Sequence, residues 1–173
     1  MITRRHFLKA MAAASVLYPF GKVIGSDKTE KSLRLYNIHT DERLDTSYFL
    51  DGSYDFEALG KINHLLRCHY NNTVKPIDIR VLDLLCDVKT RVGADKEIHI
   101  ISGYRSPEYN DHLRGLGRNV AKNSYHMRGT AIDFSIQGFS MGSLSQAAKS
   151  FLAGGVGQYA GFVHIDTGPV RYW

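Results

Sequence analysis

Two short segments with strand-like alternation constrain the fold of this chain more than any other feature. Residues 130–136 alternate between apolar and other side chains, which predicts a strand with Asp133 on the face away from the apolar residues. Residues 162–166 alternate in the same way and place His164 and Asp166 together on one face. If the two strands share a sheet, His164 can meet Asp133 across it.

His126 precedes Asp133 by seven residues, an odd offset that would put the two side chains on opposite faces of a continuous strand. A turn must therefore intervene, and Gly129 can supply it. Two neutral imidazoles and one carboxylate are a ligand set suited to a catalytic zinc ion, with a fourth position left for water. Each residue alone has an ordinary structural explanation, but His126, Asp133 and His164 together predict an enzyme with a metal site.

The motifs around these residues are also familiar as a set. Residues 102–106 (SGYRS), 124–133 (SYHMRGTAID) and 162–166 (FVHID) resemble peptidase family M15, the zinc D-Ala-D-Ala carboxypeptidases and L,D-endopeptidases, and most closely its murein endopeptidases. The resemblance runs from about residue 33 to residue 173. It implies a D-Ala-D-Ala-peptidase-like fold, a zinc cofactor and a peptidoglycan substrate.

The resemblance also implies a role for each motif residue. His126, Asp133 and His164 would be the zinc ligands. Arg105 would hold a substrate carboxylate, which suits a planar guanidinium, although a surface ion pair is its plain alternative. Ser124 would hydrogen-bond the substrate or only shape its loop.

The general base is where the chain departs from the family pattern. Many relatives carry an acid three residues before the last zinc-binding histidine, and here that position is Gly161. Asp166 is the natural replacement as a catalytic base. It could instead orient His164 by accepting its other ring N–H. In a third reading, Asp166 is the last zinc ligand and His164 occupies the neighbouring catalytic position.

The function expected from these residues is hydrolysis of peptide cross-links in peptidoglycan, with the bond between two diaminopimelate residues as the first candidate. Zinc would activate a water and polarise the scissile carbonyl, with a nearby carboxylate moving the proton. Two alternatives stay open. One is a carboxypeptidase that removes terminal D-alanine, and the other is a non-catalytic, zinc-containing peptidoglycan-binding module, which the glycine at position 161 would suit.

The N-terminus predicts export. Arg4 and Arg5 precede an apolar run at residues 10–20, a pattern that resembles a twin-arginine signal. We therefore expect residues 1–26 to be the signal and residues 27–173 to be the metallopeptidase domain, exported by the twin-arginine machinery to the periplasm. The run is too short for a stable membrane span, although an uncleaved membrane anchor is the alternative.

The net charge of the expected domain is close to zero once residues 1–26 are left out. The whole chain has 22 basic and 17 acidic residues, but the first 26 residues contain four of the bases and no acid. The remaining 18 basic and 17 acidic residues nearly cancel. The domain thus lacks the basic excess that nucleic-acid binding favours, and we expect no such partner.

The remaining patterns predict an α+β domain with helices packed on a central antiparallel sheet. We expect helices over 56–70, 77–92, 107–116 and 140–152, strands over 33–37, 97–101, 156–159 and 162–167, and a hairpin at 41–54 that turns at Asp51 and Gly52. Cys68 and Cys86 fall in the first two helices. They could form a disulfide, but two buried thiols are favoured. The other histidines are expected to be surface or capping residues.

Overall fold

A computed structural model describes residues 30–173 of the chain. The expected export signal lies outside these residues. Within them, no helix combines the length and apolar character needed to cross a membrane. Eight strands and four α-helices make up the described chain. The strands are β1 (Glu30–Asn37), β2 (Glu42–Leu50), β3 (Ser53–Tyr54), β4 (Ile98–Ser102), β5 (Ala131–Ile136), β6 (Gly155–Gln158), β7 (Val163–Asp166) and β8 (Arg171–Tyr172).

The four helices begin at side-chain caps. Each N-cap carboxylate or hydroxyl accepts a hydrogen bond from a backbone N–H of the first turn, which satisfies one of the donors that a helix start leaves free. The caps are Asp55, Asp78, Ser106 and Ser140. The helices are α1 (Phe56–Leu65), α2 (Ile79–Arg91), α3 (Pro107–Gly115) and α4 (Met141–Lys149).

All eight strands form one sheet in the order β3-β2-β1-β4-β5-β7-β6-β8. The α+β class is therefore confirmed, but the expectation of an antiparallel sheet is only partly right. Strand β1 runs parallel to β4, and β6 runs parallel to β8. Between β1 and β4 the chain forms β2, β3, α1 and α2, and a connection of that length allows it to return in the same direction. Between β6 and β8 the chain forms only β7.

The core lies between the sheet and the helices. Strand β5 is buried along almost its whole length, and its residues Ile132, Phe134 and Ile136 pack in one cluster with Leu82 and Leu85 of α2. These apolar residues hold β5 in the middle of the sheet. The opposite face of β5 can therefore carry a polar residue, Asp133, whose position is fixed by the sheet.

Several expected boundaries differ from the structure. Helix α1 ends at Leu65 rather than near residue 70, so Cys68 lies beyond the helix, not within it. Helices α2 and α4 are also shorter at their ends than expected. The turn at Asp51 and Gly52 is confirmed, since both residues have positive φ between β2 and β3. Cys68 and Cys86 are both buried and unbridged, as favoured.

Candidate metal centre

The two strands that carry the site are direct neighbours. Asp133 of β5 lies opposite His164 of β7 in an antiparallel pair, which confirms the predicted meeting across the sheet. His126 lies on a short 3₁₀ helix (Tyr125–Arg128) that ends at Gly129. Gly129 has a φ of 71°, and a Cβ there would be 2.5 Å from the Pro76 carbonyl oxygen. The predicted turn is thus present, and only glycine fits it.

The three predicted ligand atoms converge on one point. Asp133 Oδ1 is 2.7 Å from His164 Nδ1 and 3.2 Å from His126 Nε2, and the two ring nitrogens are 3.2 Å apart. The two 3.2 Å separations are close to the roughly 3.3 Å that tetrahedral geometry sets between ligands about 2.0 Å from a zinc ion, and the 2.7 Å separation is shorter. Among the described residues, this is the one group of three histidine, cysteine or acidic side chains placed to hold a metal ion.

The second nitrogen of His126 is held by the backbone. Nδ1 lies 2.8 Å from the Gly103 carbonyl oxygen, which can only accept, so Nδ1 carries the proton. The lone pair of Nε2 then faces the site. Gly103 itself lies close to Leu66, where a Cβ would be 2.5 Å from the Leu66 carbonyl oxygen. The close packing of this loop fixes the acceptor that orients His126.

Asp166 orients His164 in the same manner. Its Oδ2 lies 2.9 Å from His164 Nε2, on the side of the ring away from Asp133. The Asp166 side chain is fully buried. Its Oδ1 accepts hydrogen bonds from the backbone N–H groups of Gly155 and Gly168, and both oxygens contact Arg171. The acceptors of Asp166 are therefore occupied by donors other than a substrate.

Burial and charge act against each other at these groups. Burial disfavours ionisation of Asp133, but His126 and His164 outweigh it and hold its pKa well below the usual range. Burial likewise opposes ionisation of Asp166, whose pKa is held low by His164, Arg171 and the Gly168 N–H. For His164, burial opposes the charge while Asp133 and Asp166 raise the pKa. Both carboxylates are thus kept ionised, as metal ligation and orientation require.

Arg105 lies beside the three ligand atoms. Its guanidinium is mostly buried, with Nη2 3.3 Å from Ser102 Oγ and 3.9 Å from Asp133 Oδ2. Burial lowers its pKa and Asp133 partly offsets this. Its Nε is buried and has no hydrogen-bond partner among the described residues. A buried donor without a partner is costly, which makes this side chain ready to bind an anionic group.

The ligand atoms and Arg105 face one open pocket of about 240 Å³. Ser124 lies in its wall, so the structure brings this predicted residue to the site as well. Gly161 lies on the surface near Phe162, with open space where a side chain would be. Asp133 is the one acidic residue among the described residues that line the pocket. The rest of the wall is formed by Asn119, Val120, Ala121, Asn123, Tyr125, Tyr159, Phe162, Arg171 and Trp173.

Sequence reasoning missed Arg171 altogether, and from the sequence alone Trp173 could equally line a substrate groove or pack in the core. Trp173 lies over the site: its ring centroid is 5.4 Å from that of His164, and its Nε1 donates to the Tyr159 hydroxyl at 2.9 Å. The signal for both residues was the Gly-Pro pair at 168–169, which can turn the chain so that residues 171–173 pass Asp166 again.

Within residues 30–173, the histidines outside the motifs are not part of the metal site. His39 and His69 stack with ring centroids 3.9 Å apart, and His69 Nε2 is 3.1 Å from the Tyr109 hydroxyl. His69 is half-buried rather than a surface residue. Burial, helped by His39 and Arg105, lowers its pKa to about 4.

An open pocket whose floor is a two-histidine, one-aspartate cluster on neighbouring strands is the arrangement of a metal-dependent hydrolase. Comparison with known proteins narrows this class. The sequence profile of a family described as peptidoglycan L,D-endopeptidase MepK, within the M15 peptidases, matches residues 26–173. This chain belongs to that family, which confirms the resemblance inferred from the motifs.

Curated relatives agree with the profile. Peptidoglycan L,D-endopeptidase MepK of Escherichia coli K12 is 44% identical over 143 residues, covering 82% of this chain and 79% of the relative. A probable peptidoglycan L,D-endopeptidase MepK of Haemophilus influenzae is 40% identical over 144 residues, covering 82% and 77%. No solved structure gives a significant match.

Proposed function

We propose that this chain is a zinc-dependent endopeptidase that hydrolyses peptide cross-links of peptidoglycan. The first candidate for the cleaved bond is the one between two diaminopimelate residues. The observation that carries this proposal is the convergence of His126 Nε2, Asp133 Oδ1 and His164 Nδ1 at the floor of an open pocket. The names of the relatives support the substrate class.

The donor set fits zinc. Two imidazole nitrogens with a single carboxylate oxygen match the ligands that zinc takes in hydrolases, and the pocket leaves the fourth direction open. Zinc bound there would supply a Lewis acid that activates water and polarises the scissile carbonyl. The protein supplies the rest, by fixing the ligands and binding the peptide.

Arg105 is proposed to bind a substrate carboxylate. Its unpartnered Nε and its place beside Asp133 support this role. A carboxylate accepting from the guanidinium would satisfy the buried donor and hold the peptide next to the ligand atoms. Ser124, in the same wall, is proposed to donate a hydrogen bond to the peptide.

Asp166 is proposed to act by orienting His164, rather than as the base or as a metal ligand. It lies on the Nε2 side of the ring, whereas the ligand atoms lie on the Nδ1 side. Its oxygens already accept from a ring N–H, a guanidinium and two backbone N–H groups. With its acceptors occupied and its side chain buried, direct proton transfer at the scissile bond is disfavoured.

The domain boundaries and location are part of the same proposal. Residues 27–173 would form the catalytic domain, which agrees with a family match that begins at residue 26. Residues 1–26 would direct twin-arginine export, so that the enzyme meets peptidoglycan in the periplasm. Pulse labelling in cells with and without a functional twin-arginine pathway would test the route.

A carboxypeptidase that removes terminal D-alanine is the second candidate, and Arg105 is the observation that favours it. A guanidinium beside the ligand atoms could equally hold a terminal carboxylate. Mass spectrometry of fragments released from intact peptidoglycan separates the two. Chelator-sensitive fragments with new diaminopimelate ends support the endopeptidase, and loss of terminal alanine alone supports the carboxypeptidase. No new fragment at all would favour the non-catalytic binding module.

A further inference from the structure

Arg171 forms a two-point ion pair with the carboxylate that orients His164. Its Nη2 is 2.7 Å from Asp166 Oδ2, and its Nη1 is 3.1 Å from Oδ1. Paired oxygens and paired nitrogens fix both the distance and the rotation of the carboxylate. Because Asp166 is fully buried, this pair is not an ordinary surface salt bridge.

The guanidinium is itself held between two aromatic rings. Its central carbon lies 4.8 Å from the ring centroid of Tyr125 and 5.0 Å from that of Trp173, within the range of cation–π attraction. Tyr125 is next to His126 in the chain, and Trp173 lies over His164. The sandwich therefore connects the segments that carry the two histidines.

Three glycines leave the space that the sandwich needs. A Cβ at Gly155 would be 2.5 Å from Arg171 Nη1, one at Gly157 would be 2.6 Å from the indole of Trp173, and one at Gly168 would be 2.5 Å from the Tyr125 hydroxyl. Real Cβ atoms do not approach so closely. Each glycine is next to a different one of the three stacked side chains, so a side chain at any of these positions would displace the neighbouring Arg171, Trp173 or Tyr125.

We propose that Arg171 is a positioning residue for the metal site and acts on His164 through Asp166. Asp166 Oδ2 accepts from both Arg171 and His164. The backbone donors at Gly155 and Gly168 reach only Oδ1. Without Arg171, Oδ2 keeps His164 alone, the carboxylate can rotate, and the ring loses the partner that aims Nδ1 at the metal. The inference rests on the proposed zinc site.

The test measures zinc affinity rather than turnover. Metal-free wild type, Arg171→Met and Arg171→Lys would each compete with a chromogenic chelator for zinc. Loss of an outer partner of a metal ligand costs about 10–100-fold in metal affinity. Arg171 acts one contact further out, through Asp166, so we expect Arg171→Met to weaken zinc binding by about 10-fold, the lower end of that range. Lysine keeps the charge but not the two-point geometry, so Arg171→Lys should recover part of the affinity.

Arg128 provides a matched control. Its guanidinium also stacks on Tyr125, at 5.3 Å, and it forms no ion pair with a carboxylate among the described residues. Arg128→Met should therefore leave the zinc Kd unchanged. Thermal unfolding of the metal-free proteins shows whether each variant is folded.

A folded Arg171→Met with the zinc Kd of wild type would overturn the inference. Should that variant fail to fold, Arg171→Lys decides alone, because a Kd equal to that of wild type would overturn it and a weaker one would support it. A wild type that binds no zinc would instead refute the proposed function itself, which keeps the two failures distinct.

Discussion

Asp133 and His164 face each other across the antiparallel pair of β5 and β7, with Asp133 Oδ1 2.7 Å from His164 Nδ1. This contact is set by strand register, since a shift of one residue would turn either side chain to the other face of the sheet. The metal site therefore depends on the same pairing that builds the core.

Replacing Asp133 with Asn keeps the side-chain shape but removes the charge at the ligand position. We expect zinc affinity to fall by more than the roughly 100-fold upper value for an outer partner, because a neutral amide oxygen replaces an anionic ligand. Competition with a chelator measures the change. Cleavage of cross-linked peptide should be lost in parallel, and wild-type zinc affinity in this variant would exclude Asp133 as a ligand.

Asp166→Asn distinguishes orientation from proton transfer. If Asp166 orients His164, the variant should bind zinc about 10–100-fold more weakly, because the amide can present its NH₂ group to the ring. If Asp166 were the catalytic base, kcat should collapse while the zinc Kd stays as in wild type. Both quantities are measured on the same preparation, with kcat determined at saturating zinc.

Arg105→Met removes the proposed carboxylate partner while keeping an unbranched side chain. We expect KM for cross-linked peptide to rise about 10-fold or more, as loss of a charge-assisted contact of about 1.5–3 kcal/mol implies. Arg105→Lys should restore little, because lysine lacks the planar fork. Far greater damage to removal of terminal D-alanine than to cross-link cleavage would favour the carboxypeptidase.

Gly157→Ala should destabilise the protein by about 1–3 kcal/mol, the usual cost of overpacking, by forcing Trp173 away from its place. Gly161→Ala is the control, because that position has no atom within 4 Å of an added Cβ. The chain has one tryptophan, so its fluorescence reports on Trp173 directly. A changed emission maximum is expected for Gly157→Ala alone, and identical spectra would contradict the proposed packing.

His69 should make the folded protein less stable in mild acid. Its pKa of about 4 in the folded state lies below the ordinary value of 6.5, so the unfolded chain binds the proton more readily between these pH values. Stability from the neutral ring is full above about pH 6.5 and declines as the pH falls towards 4. For a half-exposed ring, this amounts to on the order of 1 to 2 kcal/mol.

Urea unfolding of wild type and His69→Gln at pH 7, 5.5 and 4 measures this contribution. As the pH falls, wild type should lose unfolding free energy relative to His69→Gln. Parallel profiles over the whole range would contradict the role assigned to His69.

Most residues of the metal site could be predicted from local sequence patterns. Alternation in residues 130–136 placed Asp133, and the same pattern in β7 placed His164 opposite it, because strand periodicity alone fixes which face a side chain takes. The turn at Gly129 followed from the odd offset to His126. Each of these inferences needed only a few neighbouring residues.

The remaining features depend on contacts between distant segments. The parallel pairing of β1 with β4 joins strands that are separated along the chain by β2, β3, α1 and α2, so no local pattern encodes it. The surroundings of Asp166 likewise depend on where the chain returns after Gly168, which brings Arg171 against it. The sequence therefore predicts that Asp166 lies near His164, but it leaves open whether Asp166 is a base, an orienting residue or a metal ligand.

Reconstitution of the metal-free protein with zinc tests whether cleavage depends on a metal ion held by His126, Asp133 and His164. Cleavage of purified cross-linked peptide would be followed while zinc is added stepwise, with His126→Ala as the parallel control. We expect no cleavage without metal, a rise to a plateau at about one zinc ion per chain, and no rise in the control. Undiminished cleavage by the metal-free protein, or full activation of His126→Ala at the same zinc concentration, would contradict this dependence.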